Sequence, residues 1–76
     1  MYRFICKRRL PVAGRWVVYR LTEQKGEYWI ECRFGKERVR HSLGQSLRTA
    51  SEVFEQLVSG TVTPCTLADI LSDMGF

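Results

Sequence analysis

The side chains in this sequence that could do chemistry are tryptophans and arginines at alternating positions of predicted strands. Trp16 and Trp29 offer flat rings on which a planar ligand can stack, and arginine guanidinium groups bind carboxylates and phosphates through paired hydrogen bonds. Interleaved on a sheet, such residues resemble the surfaces that bind unpaired nucleic-acid bases. The candidate binding residues are Trp16, Val18, Arg20, Trp29, Arg33, Arg38 and Arg40.

Three interpretations of these residues remain open. Trp and Arg are enriched in the hot spots of protein–protein interfaces, so a protein partner, including a second copy of the chain, fits them. Nucleic acid is the second candidate partner. In the third interpretation the rings bind nothing, because arginine stems or loops cover them. We expect a non-catalytic protein-interaction or regulatory module, with a small nucleic-acid-binding protein as the alternative.

The cysteines and the histidine do not form a recognisable catalytic or metal-binding motif. Cys6, Cys32 and Cys65 are odd in number and far apart, whereas zinc ligands usually come in close pairs such as C-x-x-C. We interpret all three as reduced thiols that are buried or half-buried. His41 is predicted on the apolar side of a strand near Cys32, and apolar surroundings do not activate a thiol. We expect no enzyme, no metal and no cofactor.

The charges are divided unevenly along the chain. All twelve Lys and Arg lie within residues 1–48 with four Glu, whereas residues 49–76 contain four acidic residues and no basic one. This asymmetry is typical of surfaces that bind nucleic acid or acidic partners, and also of a solvated sheet offset by acidic helices. With no apolar run of membrane-spanning length and no signal-peptide pattern, we expect a cytoplasmic protein without a membrane partner.

Alternation of apolar and polar residues predicts the strands that carry the candidate residues. With Lys25-Gly26 as a two-residue turn, Leu21 pairs with Ile30 on an apolar face, and a second turn at Gly35-Lys36 extends that face. The polar row across three strands is Arg20, Glu31 and Arg40. A further strand is predicted over residues 2–8, with its register left open, followed by a loop over residues 10–14. In that strand we place Tyr2, Phe4 and Cys6 toward the core, and Arg3, Ile5 and Lys7 beside the candidate residues.

Two short helices are predicted after the strands. The first has apolar residues at helical spacing from Ala50 to Val58, with Thr49 as its N-cap and Gly60 at its end. The second follows Pro64, with Thr66 as its cap and Asp69 in its first turn. Its apolar residues are Leu67, Ile70, Leu71 and Met74.

The fold class is therefore α+β, in a single domain over residues 1–76. An antiparallel meander of three or four strands (residues 1–44) is followed by a helical pair (residues 49–75) that packs on one sheet face, because helices this short do not persist alone. The predicted core consists of Val17, Tyr19, Leu21, Ile30, Cys32, Phe34, Val53, Phe54, Leu57, Leu67, Ile70 and Leu71.

The last third of the chain resembles the ending of a family of small uncharacterised bacterial proteins. In that family a short β-region precedes a helix, a V-[ST]-P-x-x-L connection and a closing helix with spaced aspartates. The matching residues are Val62, Thr63, Pro64, Leu67, Asp69 and Asp73. The strand over residues 18–21 is similar to the family's Tyr-containing strand, although Arg20 stands where the family usually has Gly. The resemblance implies a cytoplasmic bacterial protein and assigns no activity.

Overall fold

Four antiparallel strands form one sheet in chain order, and two helices follow them. The computed structural model describes residues 2–76. The elements are β1 (Tyr2–Val12), β2 (Arg15–Gln24), β3 (Glu27–Phe34), β4 (Glu37–Ser42), α1 (Leu47–Ser59) and α2 (Pro64–Asp73). The sheet order is β1-β2-β3-β4, so the predicted α+β meander with two following helices is confirmed.

The two hairpins after β1 have the predicted register. Leu21 pairs with Ile30 across β2 and β3, and the row of Arg20, Glu31 and Arg40 crosses three strands. Lys25 and Gly26 both have positive φ (53° and 80°), as a type I′ turn requires. Lysine rarely adopts this conformation, so the register here comes from the apolar alternation of the strands as well as from the turn.

β1 is longer than predicted, and the loop predicted over residues 10–14 is wrong. The strand continues through Leu10 and Pro11 to Val12, and only Ala13 and Gly14 form the turn to β2. Proline is tolerated here because β1 is an edge strand with a partner on one side only. The chain therefore extends the sheet where proline and glycine predicted a break.

A β-bulge between Phe4 and Cys6 changes which way the start of β1 faces. Phe4 pairs with Thr22 and Cys6 with Leu21, so Ile5 is the extra residue that the bulge adds. Cys6 lies on the core side as predicted. Tyr2 and Phe4 do not: the predicted core position of these two aromatics is wrong, because the bulge moves them to the opposite face, where both are exposed.

α1 begins and ends at positions that differ slightly from the predicted ones. Ser46 is the N-cap, and its hydroxyl accepts a hydrogen bond from the Thr49 N–H at 3.3 Å, so the predicted capping by Thr49 is wrong. Gly60 is the C-cap as predicted. The left-handed position of the Schellman motif belongs to Thr61 (φ 50°), and the N–H of Val62 closes the motif on the Leu57 carbonyl at 3.2 Å.

α2 begins at Pro64, which takes the first helical position, where a missing N–H costs nothing. Thr63 is the N-cap, so the predicted capping by Thr66 is wrong. The hydroxyl of Thr66 instead donates to the Thr63 carbonyl at 3.2 Å. Asp69 lies in the middle of the helix and not in its first turn.

The core lies between the helices and the adjacent face of β2, β3 and β4. Ten of the twelve predicted core residues are buried there, and Phe34 and Ile70 are half-buried against them. The fully buried Tyr19 hydroxyl donates to the Val62 carbonyl at 2.6 Å, which ties β2 to the connection between the helices. Met74, assigned to the apolar stripe of α2, is exposed. The additional buried apolar residues are Tyr28, Leu43, Ala50 and Val62.

Candidate functional site

The sheet has a second face that neither helix covers, which we call the open face. It consists of the even-numbered residues of β2 and β4, the odd-numbered residues of β3, and five residues of β1. The β1 members are Tyr2, Phe4, Lys7, Arg9 and Pro11. The alternation of a pleated strand places all these side chains opposite the core.

All seven predicted site residues lie on the open face. Trp16 is 53% exposed, and its neighbours Val18 and Trp29 are half-buried. Three arginines of β3 and β4 are exposed and the one on β2 is half-buried. These are Arg33, Arg38, Arg40 and Arg20. Of the three residues expected to join them, Lys7 does so. Arg3 lies on the other face, where it pairs with Glu23 at 3.0 Å, and Ile5 is in the bulge.

The bulge adds two large aromatic side chains that the sequence assigned to the core. Tyr2 is 61% exposed and Phe4 is 53% exposed, and both lie beside β2 on the open face. A signal that could have found them is Ile5, because a regular strand with Tyr2 and Phe4 inside leaves this apolar residue outside between Arg3 and Lys7. That conflict in the alternation is relieved by one extra residue.

Each tryptophan of the open face carries an arginine over its ring. The Arg9 guanidinium carbon lies 4.7 Å from the centre of the Trp16 ring, and that of Arg40 lies 4.3 Å from the Trp29 ring. Such cation–π contacts contribute about 0.5–1 kcal/mol at exposed sites. They supply part of the covering that local packing would require, yet Trp16 keeps about half of its surface in contact with solvent.

The open face is strongly positive. It holds six basic side chains and two acidic ones, Glu27 and Glu31. Glu27 accepts a hydrogen bond from the Ser42 hydroxyl, and Glu31 lies 3.7 Å from the Arg38 guanidinium. Within residues 2–76, the guanidinium groups of Arg9, Arg20 and Arg33 form no ion pair. Free cations therefore remain for an anionic partner.

Two open clefts lie at opposite ends of this face. The first, of about 340 Å³, has Tyr2, Arg20 and Arg40 on its walls together with the Glu31 carboxylate. The second, of about 480 Å³, lies between two guanidinium groups beside the Trp16 ring. Its lining residues are Arg15, Trp16, Val18, Arg33 and Gly35. Neither is a closed pocket, so the face offers a platform and not a cavity.

The three thiols and the histidine lie in different surroundings. Burial raises the pKa of the Cys32 thiol to about 11, and this thiol donates to the Val62 carbonyl at 3.6 Å. Burial also raises the pKa of Cys6, with Arg8 opposing the change. Cys65 is exposed, so the expectation that all three thiols are at least half-buried is wrong for this one. His41 Nδ1 lies 3.1 Å from the Ser42 carbonyl oxygen.

Some site types have no counterpart in the described part of the chain. Residues 2–76 contain no group of three or more His, Cys, Asp or Glu side chains that could hold a metal ion. No helix in this range has both the length and the apolar character needed to cross a membrane. No model of a known protein family, no curated protein and no solved structure matched the chain. The resemblance of residues 49–74 to a bacterial family stays a prediction.

Proposed function

We propose that the protein is a non-catalytic binding module whose open face binds single-stranded nucleic acid. One observation carries the proposal: three exposed aromatic side chains share a face with six basic and only two acidic ones. The aromatic three are Tyr2, Phe4 and Trp16. Aromatic rings on which bases stack, set among cations that contact the backbone, are the general means of binding single strands.

The geometry of the face favours a single strand over a duplex. The platform follows β2, whose ten residues extend for about 30 Å at about 3.3 Å per residue. It is lined by rings that offer stacking surfaces, and the bases of a duplex are already stacked on one another. The helices that might enter a major groove pack on the other side of the sheet. Unpaired bases are therefore the part of a nucleic acid that this face suits.

Charge argues against a second copy of the chain as the occupant of the open face. A symmetric dimer would place two faces of the same composition against each other, and each carries six basic side chains. Like charges brought together in an interface cost several kcal/mol. A polyanion neutralises the same charges and releases bound counterions.

A protein partner is the second candidate, favoured by the two carboxylates of the open face. Glu31 lies on the wall of the first cleft and Glu27 at the neighbouring strand end, where each would repel a phosphate that passes over it. A protein surface can place basic or hydrogen-bonding groups opposite such carboxylates. Trp and Arg are common anchors in protein interfaces.

The test is titration of a fluorescently labelled oligonucleotide of about 12 nucleotides at several salt concentrations. We expect binding that weakens steeply between about 50 and 200 mM salt. Trp16→Ser with Trp29→Ser should weaken it by about 5- to 150-fold for each base that loses its stacking partner. Arg20→Gln with Arg40→Gln should weaken it mainly at low salt.

A matched control removes the same charge from elsewhere. Arg8→Gln with Arg48→Gln changes two exposed arginines whose ion-pair partners, Glu55 and Glu52, lie on α1. We expect this variant to bind almost as the parent does. An equal loss of affinity in both double-arginine variants would show that binding depends on net charge alone and not on the open face. No oligonucleotide binding at low salt, in a protein that instead binds a polypeptide of mixed charge and loses that binding in Glu31→Gln, would favour the second candidate.

A further inference from the structure

Three arginines surround Trp16 at one end of the open face. Arg9 lies over the Trp16 ring at 4.7 Å, and Arg15 and Arg33 line the cleft beside the ring. We call these three side chains the arginine cluster. Only Arg33 belongs to the residues that the sequence singled out. Arg15 is the first residue of β2. Arg9 belongs to the cluster because β1 continues past its predicted end at residue 8 and places Arg9 opposite Val18 on the open face.

Gly35 allows the Arg15 side chain to lie across the turn between β3 and β4. A Cβ at this position would stand 2.9 Å from Arg15 Nη1, closer than real Cβ contacts come. Its φ of +61° is also a conformation that glycine adopts easily and other residues rarely do. Glycine at this turn therefore leaves room for the Arg15 guanidinium group and also adopts the backbone conformation that the hairpin needs.

The arginine cluster differs from the other end of the open face in having no carboxylate. No Asp or Glu lines its cleft, whereas Glu31 lines the first cleft. Within residues 2–76, none of Arg9, Arg15 and Arg33 forms an ion pair. The cluster thus concentrates positive charge that nothing described in the protein neutralises.

We infer that the arginine cluster binds a terminal phosphate monoester of the strand, with the last base stacked on Trp16; this rests on the proposed function. A terminal phosphate carries a charge of about −1.5 to −2 at pH 7, against about −1 for an internal one, and presents three oxygens to guanidinium groups. The location suits a strand end. Beyond Trp16 the sheet ends in the turns Ala13-Gly14 and Gly35-Lys36, so the platform stops there.

The test is competition against a labelled probe by three unlabelled oligonucleotides of one sequence. They carry a 5′-phosphate, a 3′-phosphate or hydroxyl groups at both ends. We expect one phosphate-ended oligonucleotide to compete about tenfold better than the hydroxyl-ended one, as one extra charge-assisted contact would give. Comparing the 5′-phosphate with the 3′-phosphate oligonucleotide then shows in which direction the nucleic acid runs along the open face. The preference should shrink at about pH 5, below the second pKa of the phosphate, near 6.

Arg15→Gln and Arg33→Gln should each reduce this preference toward one. Arg38→Gln is the matched control on the same face outside the cluster, and it should weaken all three oligonucleotides by the same factor. Equal competition by the three overturns the terminal-phosphate site while leaving the proposed function intact. A preference that survives both cluster variants also overturns it. Failure of every oligonucleotide to bind overturns the proposed function with it.

Discussion

The two faces of the sheet differ in what they contact: one packs against the helices, and the other is open to solvent. In β2, Val17, Tyr19 and Leu21 are completely buried under the helices, while Val18 and Arg20 between them are half-buried on the open face. The core face is apolar where the helices pack on it, and the open face is aromatic and positively charged. Because adjacent residues of one strand serve different ends, substitutions one position apart should change either stability or binding and rarely both.

The largest difference in stability loss is expected between substitution of a core aromatic and substitution of an open-face aromatic. Phe54→Ala removes a buried ring from α1 and should lower the free energy of unfolding by about 3–5 kcal/mol. Trp16→Ser removes a larger side chain that is half exposed, and should lower it by about 1 kcal/mol or less, including its cation–π contact. Urea unfolding measures both. Equal losses would show that the open face is part of the stabilising core.

High pH should act on the core face through two buried acids. Burial raises the pKa of Cys32 from 9.0 to about 11 and, aided by Cys32, raises that of Tyr19 from 10.0 to about 12. The folded protein therefore holds protons that the unfolded chain has lost. Stability is fully present below about pH 9 and falls from there to about pH 12, by about 1.4 kcal/mol per pH unit for each group within its window.

Two variants separate these contributions in urea unfolding measured across pH. Cys32→Ala should remove the decline between about pH 9 and 11, and Tyr19→Phe the decline between about pH 10 and 12. Tyr19→Phe should also cost about 1 kcal/mol at neutral pH, because the Val62 carbonyl loses its 2.6 Å donor and keeps only the weaker thiol donor of Cys32 at 3.6 Å. A stability that stays constant up to pH 11 in the parent would contradict this account.

A smaller increase in stability is expected from a substitution in the connection between α1 and α2. Thr61 holds a left-handed conformation (φ 50°) that a β-branched residue adopts at a cost. Thr61→Gly should raise the free energy of unfolding by about 1 kcal/mol and leave nucleic-acid binding unchanged. Thr63→Gly, in the extended region at φ −101°, is the control and should lower it by about 0.5–1 kcal/mol. Gains from both variants would mean that backbone strain is not the cause.

The smallest effect on stability is expected on the open face itself. Glu31→Gln breaks an ion pair of 3.7 Å to a well-exposed arginine, and such pairs contribute about 0–1 kcal/mol. The same change removes a carboxylate from the platform and should strengthen oligonucleotide binding a few-fold at low salt. Arg38→Gln breaks the same pair but should weaken binding. If Glu31→Gln weakened binding instead, a partner that needs this carboxylate would be favoured.

The sequence predicts the central hairpins well because two constraints agree there. The turn at Lys25-Gly26 and the apolar alternation of β2 and β3 each allow one register, and it is the same one. The helices are also predicted from their periodicity, although their caps shift by a few residues. Ser46 and Thr63 win as caps because the helices begin one turn before their apolar stripes do.

The length and the bulge of β1 are not predicted, because β1 is an edge strand. A proline and a bulge are both tolerated where only one side of a strand must pair, so neither residue type nor alternation is decisive there. The same failure limits the candidate site. The seven predicted residues lie on β2, β3 and β4, whose register the sequence predicts correctly. The residues that it missed are Tyr2, Phe4 and Arg9 of β1, and Arg15, whose side chain reaches the site across a turn.

The single extra residue at Ile5 is what keeps two aromatic rings on the platform. If residues 2–6 paired with β2 without the bulge, strict alternation from Cys6 would turn Tyr2 and Phe4 toward the helices and Arg3 toward the ligand side. Deleting Ile5 removes the extra residue and not the pairs on either side of it, so Phe4 stays opposite Thr22 and both rings stay on the open face. The length of the aromatic platform therefore depends on a backbone irregularity that tolerates loss of its own residue but not a regular pairing of the full sequence.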